Sequence, residues 1–303
     1  MKTRELKLSE RLQAVAAMVT EGGVVCDVGC DHGFVPVCLV KSGISPKVIA
    51  MDINEGPLQA AREHIGEYLL ADYIETRLSD GLEALRPGEA DTVICAGMGG
   101  RLAVRILEEG KGKLKGVREL ILQPQSELQY VREYLRKQGY FIADENMVLE
   151  DGKYYPMMRA CPAGDEGTGN RAQSWGEQTG PGCKGAANQD GSCTVQAGTD
   201  CGRTEDGYER YGGRIWTKRP ASERQRLEDK FGPMLLRQRH PVLKAYLQRE
   251  MDICGQIAES LVKCSRGQAE RQQELRERQE DVRTALSFFR MQSADNREDG
   301  HEE

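Results

Sequence analysis

Two carboxylates and two glycines alternate in VVCDVGCDHG (Val24 to Gly33), where Asp27, Gly29, Asp31 and Gly33 follow an apolar run. Val24, Val25 and Val28 suit a parallel strand covered on both faces, and the glycines let the backbone bend and approach a ligand closely. A dinucleotide fingerprint would carry G-x-G-x-x-G, so that bare amides meet a pyrophosphate. Here the spacing is D-x-G-x-D-x-G. The second carboxylate would repel phosphate and accept hydrogen bonds from an ammonium, which points to the amino-acid end of S-adenosylmethionine and away from NAD. Taken alone, the stretch also serves as an ordinary strand-to-helix turn.

Three later turns carry the same chemistry. Asp52 ends a second apolar run, a little beyond the roughly 20 residues that separate a cofactor loop from a ribose-binding carboxylate. Asp80 and Gly81 end a third run, where a carboxylate can accept from the exocyclic amine of a nucleobase. In AGMGG, Gly97, Gly99 and Gly100 around Met98 clear side chains from the place where a methyl donor and a flat acceptor base would meet. Each of these is separately explained by capping or turn formation. Their joint placement carries the argument, because ligands of an open parallel sheet gather beyond the carboxyl ends of its strands. His32 is either a site residue or a local hydrogen-bonding group, and it has no matching partner for zinc.

The elements needed to position these turns are legible. Strands are expected at Val24–Val28, Lys47–Asp52, Ile74–Leu78, Thr92–Ala96, Glu119–Gln123, Tyr140–Leu149 and Tyr154–Cys161. Helices are expected after Ser9, a plausible N-cap, and at Phe34–Lys41, Leu58–Leu69, Arg101–Glu109 and Leu128–Lys137. Strict alternation implies a doubly wound parallel α/β sheet. Only Asp151, Gly152 and Lys153 separate the last two strands, so a hairpin should end the sheet with an antiparallel strand.

Residues 162–213 are rich in Gly, Asp, Gln, Ser and Thr, and cannot bury enough apolar area to offset their ordering entropy. A disordered insert or linker is expected there. Beyond it, Leu247, Met251, Cys254, Ala258 and Leu261, then Leu275, Val282, Leu286 and Phe289, recur at coiled-coil spacings. Arg266 and Gly267 interrupt them, which suits two antiparallel helices. The expected division is a catalytic domain at 1–161, the insert at 162–213, a helical coiled-coil domain at 214–290 and a frayed tail at 291–303.

Charge is segregated along the 303 residues. The net of −6 is made of −4 over 1–161, −4 over 162–213, +6 over 214–290 and −4 in the tail. The one basic segment is the longest helical pattern, and it can either hold a polyanion or merely present a solvated face. No run approaches the roughly 18 apolar residues of a membrane span, and the charged start MKTRELKLSERL is unlike a secretory signal, so a cytoplasmic protein is expected. The ten cysteines include no C-x-x-C pair. Cys26, Cys30, Cys38 and Cys95 read as packed thiols, while Cys183, Cys193 and Cys201 lack a nearby His and make a weak metal candidate. No metal is expected.

The order Asp27-x-Gly29, Asp52, Asp80-Gly81 resembles the class I S-adenosylmethionine-dependent methyltransferases. More narrowly, LKLSERLQAVA (Leu6 to Ala16), DVGCDHGFVP (Asp27 to Pro36), AGMGG (Ala96 to Gly100) and LILQP (Leu120 to Pro124) resemble the bacterial tRNA (adenine-22-N1)-methyltransferase family. FGPMLL (Phe231 to Leu236) before the helical hairpin is similar too. The likeness covers about residues 4–161 and 226–290. It implies a Rossmann-like methyltransferase domain and a helical C-terminal domain that grip tRNA and methylate N1 of a D-arm adenine. Asp27, Gly29, Asp52, Asp80 and Gly81 would hold the cofactor, with Cys30, Ile53 and Gly97 beside them. Asp31, His32, Gly97, Met98 and Gly99 would face the target base. The Gly-rich insert departs from the family.

Arg4, Lys7 and Arg11 near the N-terminus, and Arg237, Arg239, Lys244 and Arg249 on the helical arm, are candidates for phosphate contacts. The expected partner is tRNA, with no membrane, and the enzyme is expected to be a monomer. Two other readings stay open: a methyltransferase acting on a small molecule or protein, its hairpin serving dimerisation, and a tRNA-binding scaffold with a vestigial pocket. Salt-sensitive binding to tRNA separates the first of these, and loss of S-adenosylmethionine binding would favour the second.

Overall fold

The computed structural model describes residues 6–163, 220–262 and 269–289. Arg4, nearly all of the insert, the Arg266–Gly267 turn and the tail lie outside these.

Seven strands form one sheet: β1 (Val25–Val28), β2 (Val48–Asp52), β3 (Ile74–Leu78), β4 (Thr92–Met98), β5 (Glu119–Pro124), β6 (Tyr140–Glu150) and β7 (Lys153–Pro162). Their order is β3-β2-β1-β4-β5-β7-β6. The first five are parallel, and strand order reverses between β1 and β4, which pair from Val25↔Thr92 to Val28↔Cys95. That reversal opens the ligand crevice at their carboxyl ends. β1, β2 and β5 are buried along their whole length, as a sheet covered on both faces requires.

One face is covered by α1 (Glu10–Ala17), α2 (Phe34–Lys41) and α3 (Glu55–Glu67), whose Val15, Leu39 and Leu58 share a core with Val25, Ala50 and Ile94. The other face is covered by α4 (Gly100–Glu109) and α5 (Leu128–Lys137), whose Val104, Leu107, Val131 and Leu135 pack on Cys26, Ile49, Val93 and Leu122. Ser9 caps α1, its hydroxyl accepting from the Leu12 N–H at 3.3 Å. α3 begins at Glu55, three residues before the expected Leu58, with Asn54 in extended conformation at the N-cap position.

The expected hairpin and its antiparallel last strand are present, and the pairing adds their order in the sheet. β7 is the antiparallel strand, yet it inserts between β5 and β6, so β6 forms the edge. The turn itself has two residues, Asp151 (φ 49°) and Gly152 (φ 72°), with Glu150 paired to Lys153. Positive φ at both positions is the type I′ geometry that matches strand twist, and Asp-Gly supplies it.

The C-terminal part comprises α6 (Ala221–Phe231), α7 (Pro233–Arg237), α8 (Pro241–Val262) and α9 (Ala269–Ser287). The last two run antiparallel: Leu275 packs with Cys254 and Leu261, while Val282 packs with Leu243 and Leu247 nearer the start of α8. Of the expected stripe, Met251, Ala258, Leu286 and Phe289 are only partly buried, and Ala285 and Phe288 are buried in addition. The boundary at residue 161 is not clean in space, because Met147 of β6 belongs to the helical core and Tyr154 stacks edge-on against Tyr246 at 5.3 Å.

A buried ion pair fastens the two parts. Arg132 of α5 donates through Nε to Glu145 of β6 at 2.8 Å and through Nη1 to the carbonyls of Asp229 and Lys230 at 2.9 and 3.2 Å. Glu145 also accepts the N–H groups of Met234 and Leu235 at the start of α7, at 2.9 and 3.3 Å. Gly232 is required here, since a Cβ at that residue would lie 2.6 Å from the Glu145 carboxylate.

Candidate active site

Asp27 is the last inward-facing polar side chain of β1, and only 4% of its surface is exposed. Among the described residues no donor is placed against its carboxylate. Burial, and then the neighbouring Asp52 carboxylate, push its pKa from the ordinary 3.8 up to about 7. A buried carboxylate without a counter-charge is unfavourable in the free protein, and a cationic ligand group would relieve it. The same burial, reinforced by Asp27, holds the Cys30 thiol well above its usual range and pushes Cys95 up to about 12. Both stay protonated and act as apolar packing.

Asp52 is buried at the end of β2 and braces two loops at once. Oδ1 accepts from the Asn54 N–H at 2.9 Å and Oδ2 from the Asp31 N–H at 3.4 Å. The β1 loop leans back onto β2 through the N–H groups of Gly29 and Cys30, which both reach the Met51 carbonyl, at 2.8 and 3.0 Å. Asp31 adopts φ 50°, and its side chain, 72% exposed, lies 3.5 Å from His32 Nε2. The His32 carbonyl in turn meets His64 Nδ1 at 3.1 Å, and the His32 and Phe34 rings are 5.9 Å apart. The His32 ring therefore sits in a local network at the rim.

Ile53 stands exposed just past β2, and Asp80 is exposed just past β3. Sequence reasoning missed Ser79, which is buried and holds that third loop: its hydroxyl donates to the Gly81 carbonyl and accepts the Ala84 N–H, each at 3.0 Å. The Ser79 N–H reaches the Asp52 carbonyl at 2.8 Å, so the second and third loops are tied together.

β4 runs past the expected Ala96 to Met98 through a bulge. Gly97 makes the bulge possible, with φ 79°. Its N–H donates to Gln123 Oε1 at 3.2 Å, and the same oxygen accepts from Arg11 Nη1 at 3.0 Å. Gln123 is fully buried, and its Nε2 has no hydrogen-bond partner among the described residues. Met98 reaches across to the β1 loop, its Cε lying 3.5 Å from where a Cβ on Gly29 would stand. Its carbonyl accepts the Gln125 N–H at 2.9 Å. The Gly29 and Gly97–Gly99 turns are thus brought together, while Asp80 lies on the far side of Asp52.

Arg11 is not a free phosphate arm. Besides Gln123 it lies 5.4 Å over the Tyr155 ring, and its N–H reaches Glu150 at 3.4 Å. Its Nη1 and Gln125 Nε2 lie 3.6 and 4.0 Å from where a Cβ on Gly97 would stand. Lys7 and Lys244 are exposed, Arg239 is half-buried with φ 51°, Arg237 pairs with Glu228 at 3.6 Å, and Arg249 donates to the Gly152 carbonyl at 2.9 Å. Arg249 therefore anchors α8 to the hairpin turn. Among the described residues no group of three or more His, Cys, Asp or Glu side chains is gathered as a metal site, and no helix is long and apolar enough to cross a membrane.

Acidic and glycine-rich turns gathered at the strand-order reversal suit an S-adenosylmethionine-dependent methyltransferase, and residues 8–158 match the family model for a methyltransferase domain. The narrower kinship follows from individual relatives. The tRNA (adenine(22)-N(1))-methyltransferase of Bacillus subtilis (strain 168) is 44% identical over 161 residues, covering 53% of this chain and 67% of that protein. The crystal structure of the B. subtilis m1A22 tRNA methyltransferase superposes with a TM-score of 0.67 at 29% identity, covering 93% of this chain and all of that one. A Streptococcus pneumoniae structure described as a tRNA (m1A22) methyltransferase, in complex with S-adenosyl-L-methionine, gives 0.65 at 27% identity over 92% of this chain and 100% of its own. The chain belongs to the tRNA (adenine(22)-N(1))-methyltransferase family.

Proposed function

We propose that this protein transfers the methyl group of S-adenosylmethionine to N1 of an adenine at position 22, in the D-arm region of tRNA. The observation that supports the reading best is Asp27, a buried carboxylate with no donor among the described residues and Asp52 as its charged neighbour, next to the Gly29 turn that Met98 of the glycine turn approaches. Family membership supplies the substrate class.

S-adenosylmethionine, when bound, supplies an electrophilic methyl on a sulfonium. Asp27 would meet its ammonium, and Asp52 its ribose hydroxyls. Ile53 would lie under the adenine, with Asp80 and Gly81 at the edge of the base. On the acceptor side, N1 of adenine carries an in-plane lone pair and no proton, so no general base is required. The protein's work is alignment and electrostatics. The Gly97 bulge, fixed by Gln123, removes side-chain bulk where the base must approach. Methylation leaves the base cationic, and the exposed Asp31 carboxylate, with His32 beside it, would favour that charge.

Because N1 lies on the pairing edge, the adenine must be splayed from the tRNA fold to enter. The C-terminal helices, fastened by Arg132 and Glu145, are read as the arm that holds the rest of the tRNA, through Lys244 and its basic neighbours. The substrate suits a cytoplasmic enzyme, and a monomer is the oligomeric state proposed.

Primer extension on unmodified tRNA transcripts tests the reading, since a methyl on adenine N1 stops the polymerase. A single stop at a D-arm adenine that requires both enzyme and S-adenosylmethionine is expected. Binding of S-adenosylmethionine without any stop would overturn the adenine-N1 assignment and point to another acceptor.

A further inference from the structure

Gln125 has an unusual combination of fixed backbone and free side chain. Its N–H is tied to the Met98 carbonyl at 2.9 Å, which locks it to the glycine turn. Its carboxamide is exposed, makes no hydrogen bond to the described residues, and places Nε2 4.0 Å from where a Cβ on Gly97 would stand. The neighbouring polar groups are engaged or, as with Gln123 Nε2, buried out of reach. Gln123 Oε1 holds Gly97 and Arg11, and Ser126 Oγ accepts the Gly100 N–H at 3.4 Å. A carboxamide that is exposed at the glycine turn and unpartnered among the described residues is available for the acceptor itself, whereas the unpartnered Gln123 Nε2 is sealed in the interior.

The chemistry of the acceptor restricts what it can do. A donor placed on adenine N1 would occupy the lone pair that must attack, so the pairing edge cannot be the edge that the protein grips. The opposite edge presents an N6 amino donor and an N7 acceptor, the pattern that a Gln or Asn carboxamide matches with two parallel hydrogen bonds. Guanine presents two acceptors at O6 and N7, which leaves the carboxamide oxygen facing another oxygen.

Resting on the adenine-N1 reading above, we propose that Gln125 is the specificity-determining residue for the target base, its carboxamide pairing with N6 and N7 of the splayed adenine and leaving N1 free toward the methyl donor. Gln123 and Met98 act through it by fixing the turn from which it projects.

The test crosses Gln125→Ala with a tRNA whose target adenosine is replaced by 7-deazaadenosine, which keeps N1 and N6 and lacks the N7 acceptor. With the wild-type enzyme, removing N7 should lower kcat/KM for methyl transfer by about 5-fold or more, within the range of a bidentate carboxamide–base pair. Gln125→Ala should lose about 10- to 100-fold on ordinary adenosine, and should show little further loss on the 7-deaza substrate. Calorimetric affinity for S-adenosylmethionine and the melting temperature should stay at wild-type values, which separates base reading from damage to the fold or the donor cradle. Equal 7-deaza penalties in both enzymes, or Gln125→Ala within twofold of wild type on adenosine, would overturn the assignment while leaving the function reading intact. A wild-type enzyme that methylates neither substrate would overturn both.

Discussion

Asp27 and Glu145 are both buried acidic side chains on strands of the same sheet, and the protein treats them in opposite ways. Glu145 is saturated: it receives the Arg132 guanidinium and two backbone N–H groups at the start of α7, and its side chain is 0% exposed. Asp27 has a second carboxylate as its nearest charged influence and is driven toward protonation. A carboxylate whose capacity is filled by the protein holds the molecule together. One whose capacity is left open, at a cost in stability, is kept for something that arrives. The joint and the cradle should therefore respond to substitution with opposite signs.

Breaking the joint should have the largest effect. Arg132→Met leaves Glu145 buried without its cation and the Asp229 and Lys230 carbonyls without a donor, so stability should fall by about 3–5 kcal/mol, the cost of removing one partner of a buried pair. Chemical denaturation monitored by circular dichroism measures it. Wild-type stability in this variant would mean that the two parts do not depend on the pair.

Asp27→Asn should do the reverse. It removes an unpaired buried charge, so the free protein should unfold at a higher temperature, while affinity for S-adenosylmethionine drops by about 10- to 100-fold, the value of a hydrogen bond to a charged group. Scanning calorimetry with and without cofactor reads both signs in one experiment. A variant that loses stability and binding together would place Asp27 with Glu145, as a structural residue.

The pH dependence sharpens the same contrast. The folded-state pKa of Asp27 is raised, so the native protein binds this proton more tightly than the unfolded chain does. Its contribution to stability is complete below the ordinary value of 3.8 and is lost as pH rises toward about 7. A ligand ammonium needs the anion, so affinity for S-adenosylmethionine should climb between about pH 5 and 8 and then level off. Titration calorimetry across that range should show the climb in the wild-type enzyme and a flat profile in Asp27→Asn. A flat wild-type profile would remove Asp27 from contact with the ammonium.

Much of this architecture was open to reading in the residues, and the exceptions share a cause. β1, β2, β4 and β5 are built on short apolar runs because both faces of the sheet are covered, and runs of that kind are visible without knowing any partner. The order of β7 and β6 was not visible, since a hairpin can join the sheet through either strand and only the pairing of Leu120 with Ala160 decides it. α6 escaped notice because its buried face is Leu227, Asp229 and Phe231, and the burial of Asp229 depends on Arg136, 2.8 Å away on another helix. In the site, the acidic and glycine turns announced themselves by local spacing. Ser79 did not, because a lone serine in a turn carries no spacing signal. Gln123 and Gln125 did not, because their contacts with Gly97, Arg11 and Met98 are distant in sequence, and the hold of Gln123 and Tyr155 on Arg11 is hidden for the same reason.

The basic helical arm offers the smallest effect and the finest test of where the comparison stops. Lys244 is exposed on α8, near Gln248, Met251, Asp252, Leu286 and Phe289. It takes no part in the joint formed by Arg132 and Glu145, nor in the cradle around Asp27. If it touches a tRNA phosphate, Lys244→Ala should weaken tRNA binding only a few-fold at moderate salt, and the slope of log affinity against log salt should become shallower by somewhat less than one. Melting temperature and affinity for S-adenosylmethionine should not move. Arg249→Ala, by contrast, removes the bond to the Gly152 carbonyl that ties α8 to the hairpin, so its effect on tRNA should come with a loss of stability. A salt slope unchanged by Lys244→Ala would take this stretch of α8 out of the RNA path and return its charge to the role of a solvated helix face.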